Sequence, residues 1–149
     1  LVFTESTCKN GSNDDTCDGD SDPSARTWAV AAGGGTPIEL ANANAPGVED
    51  TGTETSDTFP RFAPFIAAQG AGKLMWITVG SSRNAGLLVP PTPGDRPGHW
   101  LWMFAVDPAK IAAGQDGSYA AFYLPFQDLT TSNHIGQWTT KVVGSPPPR

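Results

Sequence analysis

Five carboxylates crowd one short stretch near the N-terminus: Asp14, Asp15, Asp18, Asp20 and Asp22, the last three alternating as D-x-D-x-D. Such alternation aims hard oxygen ligands at one point and suits Ca²⁺, because like charges packed this closely repel unless a cation sits among them. The pattern is not an EF-hand: Pro23 stands where that loop needs Gly, and Ala29 where it needs a bidentate Glu. A calcium ion with a structural role is one expectation for these acids; a solvated acidic loop is the other. Cys8 and Cys17 are the only cysteines and lie among Asp and Gly rather than among further soft ligands. They read as one disulfide rather than a zinc site, which implies an extracytoplasmic location. Closing so small a loop contributes about 2–3 kcal/mol.

The remaining candidates for chemistry are few. His99 and His134 fall in no H-x-H, H-E-x-x-H or H-x-x-E-H pattern, so a histidine-rich metal centre is not expected. His134, within SNHIGQW, orients a turn on one reading and contacts a ligand on the other. Ser81 and Ser82 follow a strand without the G-x-S-x-G elbow. With Arg83 they read as hydrogen-bond formers, Arg83 pairing an Asp from a neighbouring strand. The triple glycine at 33–35 sits in a hairpin rather than between strand and helix, so it does not cradle phosphate. Trp100 and Trp102, two apart on one strand face, form either a sugar-stacking platform or core. No catalytic residue is expected. Asn10-Gly11-Ser12 fits a glycosylation sequon.

The whole chain narrows the classes further. Its 149 residues suit one domain, and 15 acidic against 9 basic side chains give a net charge of -6. That balance argues against nucleic acid as a partner, since such affinity rests on Lys and Arg neutralising phosphates. No apolar run reaches the roughly 18 residues of a membrane span, and no basic-then-apolar leader opens the sequence. Glycine and proline number 17 and 14, enough for many turns yet short of disordered composition. Five Trp and seven Phe remain to fill a core.

The elements that would position these residues are strands. Residues 1–25 read as an acidic, disulfide-pinned loop segment without large apolar side chains over 8–22. RTWAVAAGGGTPIELA, from Arg26, has the alternation of a β-hairpin. Residues 41–58 read as a polar surface connection, and FPRFAPF (59–65) as a short packed turn, because Pro60 and Pro64 oppose a long ladder. KLMWITVGSSRN (73–84) and WLWMFAVDP (100–108) are near-continuous apolar runs, predicting central strands covered on both faces. In the second, Trp100, Trp102, Phe104 and Val106 share one face, with Leu101, Met103 and Ala105 on the other. AKIAAGQDGS predicts one helical turn and AAFYLPF (120–126) a further strand, with a Pro-rich tail at 141–149 favouring an extended form.

Aligned by type, Trp28 to Leu40 matches Trp102 to Leu124, and FPRFAPF matches TSNHIGQWT (131–139), as an internal repeat. The pieces resemble the TolB-like β-propeller repeats of bacteria: Pro60, Phe62, Ala63 and Pro64 for the "P-aromatic-SP" turn; Ser81, Ser82, Arg83 and Asn84 for the "S-[ST/N]-R" strand end; Leu101 and Trp102 for "[IL]-W"; Gly34, Gly35, Pro37 and Leu40 for the last strand. Ala63 and Ala41 depart from the usual Ser and Thr. The resemblance implies an all-β fold of antiparallel propeller blades over 26–140, with long loops and little helix. It also implies a non-catalytic, extracytoplasmic binding or scaffold module whose partners are a protein, further blades or another copy of the chain. The alternatives are the gating or substrate-binding part of an exported hydrolase, and a small carbohydrate-binding β-domain.

Overall fold

A computed structural model of the chain describes residues 1–8, 22–47, 50, 55–91, 98–133 and 135–139. Strands β1 (Val2–Glu5), β2 (Arg26–Ala29) and β3 (Ile38–Glu39) form one antiparallel sheet in the order β1-β2-β3. Strands β4 (Thr58–Gln69), β5 (Gly72–Ser81), β6 (Trp100–Val106) and β7 (Phe122–Tyr123) form a second antiparallel sheet in chain order. Helix α1 (Pro108–Ala112) stands between β6 and β7.

Local chemistry sets most boundaries. The β2–β3 hairpin places Trp28 opposite Glu39 and Ala29 opposite Ile38, as its alternation predicts. β4 turns into β5 at Gly70, whose φ of 56° is a left-handed conformation that glycine adopts without a Cβ penalty. Helix α1 begins where Asp107 accepts a hydrogen bond from the Ala109 amide at 2.8 Å and Pro108 takes the first turn, where a missing N–H costs nothing. At the end of each sheet a side-chain amide stands in for a neighbouring strand. Asn44 Oδ1 accepts from the Thr27 amide and its Nδ2 donates to Thr27 O. Gln127 treats Leu101 the same way, at 2.7 and 2.9 Å.

The sheets share one core. Val2, Ala29 and Leu40 from the first meet Ile77, Val79, Trp102, Phe104 and Val106 from the second, with Ile111 of the helix closing one end. Fully burying each of these larger side chains contributes about 1.5–3 kcal/mol, so the two sheets stabilise each other rather than folding as separate units.

Several expectations change here. Val2–Glu5 is a strand paired with Arg26–Ala29, so the N-terminal segment is not loop throughout. Of the expected surface connection at 41–58, Asn44 and Thr55–Thr58 are buried. FPRFAPF is no turn: it lies inside the 12-residue β4. The ladder accommodates Pro60 and Pro64 because β4 is an edge strand whose register shifts between Thr58 and Arg61 and between Phe62 and Ile66. The expected strand at 120–126 shrinks to Phe122–Tyr123. The architecture is a small all-β domain of two antiparallel sheets with little helix, and propeller blades are not what the chain forms. The two aligned segments occupy different settings, Trp28–Leu40 in a three-stranded sheet built on β1 and Trp102–Leu124 in a four-stranded one. The described part of TSNHIGQWT carries no strand to match β4.

Candidate functional site

Two clusters stand out, one sealed and one open, on opposite faces of the second sheet. The sealed one centres on Arg83, just past β5 and 2% exposed. Its Nη2 donates to Asp57 Oδ1 at 2.7 Å, its Nε to Ser81 Oγ at 2.9 Å, and its Nη1 to the carbonyls of Ala43 and Ala45. The guanidinium also lies 4.9 Å from the centre of the Trp102 ring. Asp57, fully buried, receives the Thr55 hydroxyl on Oδ2, and Thr55 O accepts from the hydroxyls of both Ser81 and Ser82. Ser81, Ser82 and Arg83 are thus hydrogen-bond formers, with Arg83 paired to an aspartate as expected. Beside them His99 Nε2 meets Ser56 Oγ at 3.2 Å, both side chains being buried. With so little access, this node ties the 43–45 and 55–57 segments to the sheet and offers no surface for a substrate.

The open cluster lies on the outer face. Antiparallel pairing puts opposite residues on the same side, so Thr78 with Met103 and Gly80 with Leu101 face outward, while Ile77 with Phe104 and Val79 with Trp102 face the core. Trp76 joins the outer set and meets Phe122 edge-to-face at 6.2 Å. After β7 the chain crosses this face again. Gly136 sits where an added Cβ would come within 2.7 Å of Thr78 Oγ1, so only a glycine lets the crossing segment lie this close. Trp138 is then held by its indole N–H, which donates to Arg61 O and to Thr78 Oγ1, each at 3.1 Å, and packs edge-to-face with Phe65 at 5.8 Å. These rings enclose a cleft of about 340 Å³ over Leu101 and Met103. Phe65 and Phe126 on its rim are 51% and 83% exposed.

The turn leading to this segment is fixed by Asp128, whose Oδ1 accepts from the amide and the hydroxyl of Thr130 at 2.8 and 2.7 Å. Those two bonds hold its carboxyl below the ordinary range. The same Asp-x-Ser/Thr turn recurs at Asp22–Ser24 and Asp116–Ser118. Sequence reasoning missed this recurrence, although its spacing is visible in D-P-S, D-G-S and D-L-T.

The calcium expectation is corrected by these observations. Among the described residues no group of three or more His, Cys, Asp or Glu side chains gathers to hold a metal ion. Asp22, the described member of the alternating acids, is fully buried and spends its Oδ1 on Ser24. Asp14, Asp15, Asp18 and Asp20 lie outside the described residues, as do Cys17, His134 and the 141–149 tail. No described cysteine is free, and Cys8 is disulfide-bonded. Trp100 and Trp102 are 1% and 7% exposed and pack on Tyr123 at 5.3 and 6.0 Å. The open aromatic surface belongs instead to Phe65, Trp76, Phe126 and Trp138. The apolar runs at 73–84 and 100–108 predicted strands covered on both faces; instead the first sheet packs on the inner face alone and leaves the outer face, with Trp76, to an open cleft, because alternation does not say which apolar face will be covered.

No protein-family model, curated protein or solved structure matches the chain. The TolB-like propeller assignment therefore finds no support there either, and what stands is a small domain of two antiparallel sheets. Among the described residues no helix is long and apolar enough to cross a membrane.

Proposed function

We propose that this domain is a non-catalytic binding or scaffold module whose recognition surface is the outer face of the second sheet. The observation that carries the reading is the aromatic cleft between Phe65, Trp76, Phe126 and Trp138, rimmed by rings that remain substantially exposed. Exposure at Phe65, Phe122 and Phe126 alone, for side chains that bury about 150–250 Å² each, leaves a few hundred Å² of apolar surface, the size of the largest patch on a typical monomer, which is often functional. The partner on this reading is a protein, and the disulfide-bonded Cys8 goes with an oxidising, extracytoplasmic setting. A sugar platform at Trp100 and Trp102 is not favoured, since neither ring has a free face.

The test is site-specific photocrosslinking, with a benzophenone amino acid at position 126 and, as control, at Leu87, which is 90% exposed and outside the cleft. A discrete crosslinked product from position 126, absent from position 87 and identified by mass spectrometry, is the expected result. Equal products from both positions, or none from 126, would overturn the reading.

A further inference from the structure

We propose that the cleft takes a proline-rich extended segment of a partner protein. This rests on the reading of the outer face as a binding surface and names what that surface takes.

The chemistry of the walls selects the guest. Phe65, Trp76, Phe126 and Trp138 supply ring faces and edges, Leu101 and Met103 supply the floor, and among the described residues no charged side chain lines the cleft. A charged segment would lose hydration there without a counter-charge. A sugar would need several hydrogen-bonding partners, yet among the described residues the polar side chains on the lining are Thr78 and Gln137, and Thr78 Oγ1 already receives the Trp138 N–H.

The walls are also set in place beforehand. Trp138 is pinned by two hydrogen bonds and a ring contact, Trp76 is braced by Phe122, and the strand beneath is fixed by the Gln127 amide. A rigid aromatic groove suits a guest that is rigid too. A polyproline II segment has no internal hydrogen bonds to break, presents ring faces every third residue, and loses little conformational entropy on docking. The cleft volume of about 340 Å³ lies at the low end of ligand sites, room for part of such a segment rather than a folded element. A β-strand guest fits less well, because strand addition needs a free sheet edge and the β4 edge is interrupted by Pro60 and Pro64.

The experiment titrates the full chain with fluorescently labelled octaproline, read by anisotropy, beside an alanine-rich peptide of equal length. Three chains are compared: the unaltered protein, Phe126→Ser, and a variant with Pro146→Ala, Pro147→Ala and Pro148→Ala. The last removes the chain's own proline run in SPPPR (145–149) as a competitor. The expected result is saturable octaproline binding, weakened at least tenfold by Phe126→Ser, equal for the unaltered chain and the triple variant, and absent for the alanine-rich peptide. Binding at least tenfold tighter to the triple variant would make the chain's own segment the occupant and overturn the partner source. No octaproline binding, or binding insensitive to Phe126→Ser, would overturn the ligand class. If that happens while the position-126 crosslink persists, the binding surface stands and only its proline-rich guest is lost.

Discussion

The two faces of the second sheet are built from the same strands and from similar side chains, yet they end in opposite states. On the inner face Trp102 and Phe104 are buried beneath the first sheet, and Arg83 beside them has its guanidinium matched by an aspartate, a serine and two carbonyls. On the outer face, among the described residues, Trp76 and Met103 are covered in part by Phe122 and the segment at 136–138, and Phe65 and Phe126 around them keep their edges in solvent. Composition did not separate the faces. The first sheet covers one side of the second, so the apolar surplus of the other side stays in part exposed.

The sharpest way to break the contrast is to strike the sealed face. Phe104→Ala removes a fully buried ring, and its expected cost is about 3–5 kcal/mol, measured by denaturant unfolding. Asp57→Ala leaves the Arg83 charge buried without its partner, a further loss of about 3–5 kcal/mol. Adding Arg83→Met to Asp57→Ala should recover much of this, because the cost is an uncompensated charge rather than a missing attraction. Failure of the second change to recover stability would show that the Arg83 hydrogen bonds to Ala43 and Ala45 carry the node instead.

Effects at the open face should be smaller and of a different kind. Gly136→Ala pushes the crossing segment off Thr78, at an expected cost of about 1–3 kcal/mol, together with a change in the indole N–H resonance of Trp138 by NMR. Phe126→Ala, at a residue 83% exposed, should change stability by no more than about 0.5 kcal/mol while weakening partner binding. A destabilisation there as large as that of Phe104→Ala would erase the distinction between the faces. The smallest expected effect is at Asp128, fully exposed and held acidic by Thr130. Because its folded pKa is depressed, its stabilising contribution is present above the ordinary carboxylate pKa and is lost as pH falls through the folded value. Thr130→Val should raise the Asp128 pKa toward the ordinary carboxylate range, as read by the pH dependence of its side-chain carboxyl carbon.

Much of the local structure was legible from residue order. The hairpin around the triple glycine, the strands at 72–81 and 100–106, and the short helix after Asp107 all follow from alternation, turn residues and capping. The sorting of Trp100, Trp102, Phe104 and Val106 onto one face follows from the period of two alone. The candidate site was not legible. Prolines 60 and 64 argued for a turn, and only pairing with β5 showed that an edge strand tolerates them. Acids spaced as D-x-D-x-D suggested a cation, whereas Asp22 is fully buried with its Oδ1 accepting from the Ser24 amide and hydroxyl, and no metal-holding group forms among the described residues.

The sequence by itself determined that this chain makes strands and where most of them run, because periodicity acts over a few residues. Only the tertiary structure decided that the strands divide into two sheets sharing one core, and that Trp138 returns 60 residues after Thr78 to wall a cleft. Those outcomes depend on which surfaces meet across long loops, and burial rewards any apolar face equally until the packing of the whole chain selects one.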